Sequence, residues 1–170
     1  MKKIIGITAL VLFVAFAADA QSYKFGHINS DELIQSLPEF DSASLQIENL
    51  QKELINTLEL MSVELNNKSD SYNKESKNLT DIVRQTKEQE LVDLNRRIQE
   101  FQTNAQTQLQ NKQMELFQPI YAKVEKAIND VGKENGFLYV FDIAKGVLLY
   151  FDETRSTDIT SLAKAKLGLK

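Results

Sequence analysis

The residue types able to make and break bonds are few in this chain, and their spacing does not bring them together. His27 is the single imidazole and cysteine is absent, so a transition-metal site would need several carboxylates to converge on one histidine. We read His27 as a structural residue at a strand end. Nucleophilic catalysis of the Ser/His/Asp kind lacks a Gly-x-Ser-x-Gly elbow, and no glycine-rich loop of the phosphate-cradling kind is present. Aspartates and glutamates are plentiful but fall in i, i+4 pairs with lysine, and general acid/base work needs a closed pocket that solvated rods do not offer. The pattern argues against an enzyme and implies no metal and no cofactor.

Contact chemistry remains, and the stretch from Phe40 to Val131 carries it. Leu45, Ile47, Leu50, Leu54, Leu58, Met61 and Leu65 recur three and four apart, and the pattern resumes with Leu91, Leu94, Ile98, Phe101 and Ala105. Both halves read as amphipathic helices with a narrow apolar stripe. Between them, Asn66 to Asn73 is rich in side chains that compete with helical hydrogen bonds, which places the turn of a hairpin there. A return antiparallel about Lys74 faces Leu50 with Ile98, Ile47 with Phe101, Leu54 with Leu94 and Leu65 with Val83. Apolar residues on that seam are consumed by the partner helix. Ile55, Val63, Tyr72, Leu109 and Met114 lie off it and are the candidates for weak, many-point contact with a polypeptide of no fixed shape.

The flanks must hold this arm. Tyr23 to Ile28 alternates as a short strand, Asn29 or Ser30 with Glu32 can cap a turn or two of helix, and Pro38 closes it. The first arm then runs from about Glu39 to about Asn67, a rod of roughly 44 Å. Asn66 to Glu90 holds few large apolar residues and should be the most mobile part. Pro119 should kink or break the return helix, separating the arm from a wider stripe of Leu116, Ile120, Val124, Ala127, Ile128 and Val131. Gly132 or Asn135-Gly136 ends that helix. Phe137 to Ile143 and Val147 to Phe151 read as a hairpin around Ala144-Lys145-Gly146, with Phe137, Tyr139 and Phe141 on one face and Leu138 and Val140 on the other. Asp158 or Thr157 caps a last helix, Ile159 to Leu167, with Leu162 and Ala163 inward and Gly168 as its stop.

The fold class is therefore α+β, mostly α: a long antiparallel helical hairpin on a small β association domain. Lys2 and Lys3 precede an uncharged run from Ile4 to Ala18, and Ala18-Asp19-Ala20 has the form that signal peptidase cuts. The run, about 15 residues, is shorter than the ~20 a spanning helix needs. The domain reading is a signal peptide at 1–20, a body built from 21–38 and 119–170, and an arm at 39–118 with its tip near 66–78. Cleavage after Ala20 would remove two lysines and one aspartate and move the formal charge from -4 to -5. An acidic chain has no general attraction for nucleic acid. Three short strands with thin cover are marginal alone, so several copies are expected to pool their strands.

The order of elements, with Gly26-His27-Ile28-Asn29 ending the first strand, a charged helical hairpin, then Phe137-Leu138-Tyr139-Val140-Phe141-Asp142 and Asp158-Ile159-Thr160, resembles the OmpH/Skp family of periplasmic chaperones. The resemblance implies a jellyfish-like homotrimer in the periplasm whose three hairpins surround a cavity and hold unfolded outer-membrane proteins without ATP. By position, it assigns Phe25, Ile28, Val140, Phe141, Leu148 and Tyr150 to the association barrel. The best-known members are basic, so the acidic balance here argues against carrying over lipopolysaccharide or phospholipid binding, and Arg96-Arg97 is too small a patch to restore it. The rival readings are an envelope coiled-coil scaffold or spacer docking a specific folded partner, and a signal-anchored coiled coil.

Overall fold

A computed structural model describes residues 23–146 and 148–169; the segment read as a signal peptide, with its cleavage point, lies outside them. The elements in chain order are β1 (Lys24–Ile28), α1 (Ser30–Gln35), α2 (Pro38–Glu75), a 3-10 turn (Ser76–Asn78), α3 (Asp81–Glu134), β2 (Phe137–Asp142), a second 3-10 turn (Glu153–Arg155), β3 (Ser156–Asp158) and α4 (Thr160–Lys166). This is the mostly helical α+β class expected, with a long hairpin and a small sheet.

The sheet order is β2-β1-β3, and β1 pairs in parallel with both neighbours. This corrects the expected terminal hairpin: β2 adds to β1 and not to the segment after it, and Leu148, Leu149 and Tyr150 belong to no strand. Gly146 does take the left-handed conformation, φ +64°, but the chain then leaves the sheet and returns as β3. β3 is Ser-Thr-Asp, a sequence with no apolar signal for a strand. The facing of β2 differs as well. Lys24 stands opposite Phe137 but Phe25 opposite Tyr139, and the extra residue, Leu138, resets the alternation as a bulge does. Phe137 and Val140 therefore both pack on the core, while Tyr139 stacks with Phe25 and Phe141 on the other side.

The core lies between the sheet and the helices. Ile28 from β1, Leu33, Ile34 and Leu37 from α1 and its end, Ala43 from α2, Ile120, Val124 and Val131 from α3, and Ile159 and Ala163 beside α4 form one buried cluster. Gly26 allows the close approach: a Cβ there would sit 3.2 Å from Ile159 Cγ2 and 3.2 Å from Phe137 Cδ1. Asn29 caps α1 as expected, its Oδ1 accepting from Glu32 N at 3.1 Å. At α4, Asp158 Oδ1 accepts from Thr160 N at 2.8 Å and from Thr160 Oγ1 at 2.6 Å. Ala163 points inward, but Leu162 is exposed and does not.

The arm is longer than the sequence suggests. α2 has 38 residues, about 57 Å of helix, and it continues through Asn66–Asn73 to Glu75. The chain reverses at Ser76–Thr80, where Leu79 and Thr80 are extended, so the register about Lys74 is not the one adopted. Cross-helix pairs are Glu75 with Lys87 (3.6 Å), Tyr72 Oη with the Glu88 carboxylate, Lys68 with Glu90 (3.7 Å) and Glu39 with Lys123 (2.5 Å). Poor helix formers cost only about 0.5 kcal/mol each against alanine, and the half-buried positions Leu65, Ser69, Tyr72, Ser76 and Leu79 keep the three-and-four spacing. The seam continues with polar residues in it. Leu45, placed in the stripe by spacing, is exposed.

Pro119 does not break α3, which runs from Asp81 to Glu134. An interior proline costs about 3 kcal/mol. The burial of Ile120 and Val124 and the packing of Leu116 and Phe117 on the core hold the helix on both sides of it. A substitution contrast checks this layout by urea unfolding. Leu33→Ala, at a fully buried site, should lose about 2–5 kcal/mol, whereas Leu60→Ala on the exposed arm should stay within about 0.5 kcal/mol of the parent.

Candidate functional site

Two kinds of surface are left once the core is subtracted. The first is the outer face of the sheet. Strand alternation sends Gly26 and Ile28 inward and Phe25 and His27 outward, where Phe25 stacks on Tyr139 with ring centroids 6.3 Å apart and Tyr139 on Phe141 at 6.0 Å. His27 lies against Phe151 at 4.8 Å. A shallow cavity of about 330 Å³ lined by Phe25, Phe141, Phe151, Asp152, Arg155 and Ser156 opens on this face. Beside it Leu149 and Tyr150 are 98% and 82% exposed. Aromatic faces and extended apolar segments of this kind bury well against a matching surface.

Of the residues assigned to association, Phe25, Phe141 and Tyr150 lie on or beside this face. Leu148 is half-buried in the same segment. Val140 packs on the core from the inner side, and Ile28 is fully buried in the protomer's own core, because both fall on the inward phase of their strands. Spacing puts Tyr139 on one face with Phe141, as found, but adds Phe137, which the bulge at Leu138 turns onto the core; the assignment by resemblance leaves out Tyr139 and Phe151.

The second surface is the arm. Ile55 and Leu109 share a groove of about 260 Å³ with Leu54, Leu58, Phe101 and Ala105, so they border the seam and are not remote from it. Val63 and Met114 are exposed. Tyr72 is half-buried, and its hydroxyl donates to Glu88, a carboxylate neighbour that pushes the phenol above its ordinary range. At the arm's root Met114 borders a shallow basin with Phe117 and Tyr121; Phe117 packs on Phe40 at 5.4 Å. Nearer the middle, Leu50 faces Asn104, Gln108 and Asn111 across a polar gap of about 730 Å³. Asn104, Gln108 and Asn111 are exposed there, beside the half-buried line of Ala105, Leu109 and Lys112.

A serine and an aspartate stand near His27. Its Nδ1 lies 2.9 Å from Ser156 Oγ, and Asp158 is its partner in the β1–β3 register. Asp158 Oδ1 is occupied by Thr160. The imidazole thus ties β1 to β3 under an aromatic ring. Among the described residues no three His, Cys, Asp or Glu side chains gather closely enough to hold a metal.

Residues 24–167 match the family described as outer membrane protein (OmpH-like). The chain is 27% identical to the chaperone protein Skp of Yersinia enterocolitica over 164 residues, which span 95% of this chain and 96% of that protein. It is also 27% identical to the chaperone protein Skp of Photorhabdus luminescens over 146 residues, 84% of this chain and 87% of the other.

The end of β2 is latched to the start of α1, which fixes the outer face relative to the arm. Burial alone would raise the Asp142 carboxyl, but hydrogen bonds from Ser30 Oγ (2.6 Å), Ser30 N (3.1 Å) and Ala144 N (3.1 Å) outweigh it and hold the group below its ordinary value of 3.8. A depressed carboxylate contributes stability that is complete above the unfolded value and is lost as pH falls through the folded one. Asp142→Asn should therefore cost about 1–3 kcal/mol at neutral pH. The gap between the variant and the parent should close below about pH 4, as read from urea midpoints across the acid range.

Proposed function

The chain belongs to the OmpH-like family, and on that premise we propose that it is a periplasmic chaperone that holds unfolded outer-membrane polypeptides without ATP. The body, residues 21–38 and 119–170, associates three copies through the outer sheet face, with Phe25, Phe141, Leu148 and Tyr150 in contact between copies. The arms, residues 39–118, then stand around a shared space. Signal-directed export with cleavage after Ala20 delivers the chain to that compartment.

The observation that carries this reading is the distribution of exposed apolar side chains on the arm. Ile55, Val63 and Met114 stand among amides and charges on long helices, and the concave regions there are open and shallow. A rigid ligand would find no enclosing pocket. An unfolded polypeptide needs none, because many weak contacts made together add to a useful affinity. Polar residues between the contacts keep the client hydrated and prevent its collapse onto one patch.

Association and holding separate experimentally. Tyr139→Asp with Phe141→Asp places two charges on the aromatic face without touching the core, and sedimentation should then show a monomer. The parent should suppress aggregation of a urea-diluted outer-membrane barrel protein at one assembly per client and without nucleotide, and the double variant should lose most of that capacity. Aggregation proceeding unchanged with the parent would refute the holding role.

A further inference from the structure

We propose that the outward side of α2 is a docking strip for unfolded segments in which lysine or arginine is interleaved with apolar residues. This rests on the holding role and specifies the chemistry of the client. Leu45, Leu60 and Val63 are 58%, 71% and 47% exposed. Leu45 and Val63 lie on one line about five helical turns apart, turned away from the seam that Ile47, Leu54, Met61 and Leu65 make with α3. Folding of the protomer leaves this side uncovered.

Charge selects the occupant. α2 contains eight acidic and three basic residues, whereas α3 contains nine and eight, so the acidity of the chain is concentrated on one helix. Glu39, Glu48, Glu64 and Glu75 have a lysine partner. Among the described residues Asp41, Glu53, Glu59 and Asp70 have none. Asp41 stands one turn before Leu45 and Glu59 one turn before Val63, on the same side of the helix. The strip thus repeats a carboxylate followed by an aliphatic side chain.

A second copy of this chain suits the strip poorly. The basic residues of α3 are largely engaged already: Arg84 with Asp81, Lys87 with Glu75, Arg96 with Asp93 and Glu100, Lys112 with Glu115, and Lys126 with Asp130. An unfolded segment brings unpaired cations and unburied aliphatics together. Its ammonium or guanidinium groups meet Asp41, Glu59 and Asp70 while its apolar side chains cover Leu45, Leu60 and Val63. Contact of this kind is exposed, so salt should weaken it.

The test uses the full exported chain and two fluorescent unfolded peptides of equal length and equal leucine, valine and serine content, one with lysine and one with glutamate at the interleaved positions. At low salt the lysine peptide should bind about tenfold more tightly, a size that a few exposed charge contacts can reach together. The preference should fall to about twofold in 0.5 M salt and in the triple variant Asp41→Asn, Glu59→Gln, Asp70→Asn. Leu60→Ser should weaken both peptides alike. Equal binding of the two peptides, or a preference that survives the triple variant, overturns the strip while leaving the holding role intact if aggregation is still suppressed. Binding of neither peptide together with unsuppressed aggregation overturns both.

Discussion

Parallel pairing of β1 with β2 is the constraint from which the rest of the architecture follows. Parallel neighbours cannot be joined by a tight turn; they need a crossover that carries the chain back to the end where it began. Here the crossover is α1, the whole of α2 and the whole of α3. The arm is that connection lengthened into a rod, and the antiparallel packing of its two helices is what returns Phe137 to the level of Lys24. β3 repeats the demand with a shorter connection. β1, five residues long, is therefore the element on which both ends of the protein depend.

A second consequence concerns how rigidly the arm is mounted. α3 belongs to both parts, since its Ile120–Val131 section lies in the core and its earlier section forms the seam. α2 is tied at the same level by Ala43 and by the pair Glu39–Lys123 at 2.5 Å. No loop separates body from arm on either helix. Burial along the seam is uneven: Leu50, Leu54, Ala105 and Leu109 are half-buried, whereas Leu94 and Ile98 are buried.

The class, the hairpin and the cap at Asn29 were legible because each rests on a local pattern: three-and-four spacing in the long helices and an asparagine three residues before a glutamate. The reversal point was not. The seam between Leu65 and Leu79 is occupied by Ser69, Tyr72 and Ser76, and a stripe made of small polar residues looks like its end. Strand partners were hidden for a different reason. Nothing in Phe137–Asp142 distinguishes a hairpin partner from a parallel one, and β3 has no apolar residue at all. Ile28 was assigned to an association surface by position, from the resemblance, while its burial depends on which phase of its strand meets α1 and α3. The outer aromatic face was thus legible as a composition but not in its membership, because the bulge at Leu138 turns Phe137 onto the core and leaves Tyr139 and Phe141 outside.

The spacing of the arm's exposed aliphatics limits how well two folded arms can match each other. Contiguous apolar patches promote association once they reach a few hundred Å². Leu45 and Met114 stand singly and Leu60 lies one turn from Val63, with Asn49, Asn56, Glu59 and Gln113 around them. A second folded arm, rigid and similarly dotted, can match only one or two such points at a time, and each covers too little area to offset the freedom lost on association. A flexible chain adjusts its own spacing to meet several points at once. On the proposed holding role, apolar points too far apart for a rigid partner to bridge would favour unfolded over folded partners, leaving the choice among unfolded ones to charge.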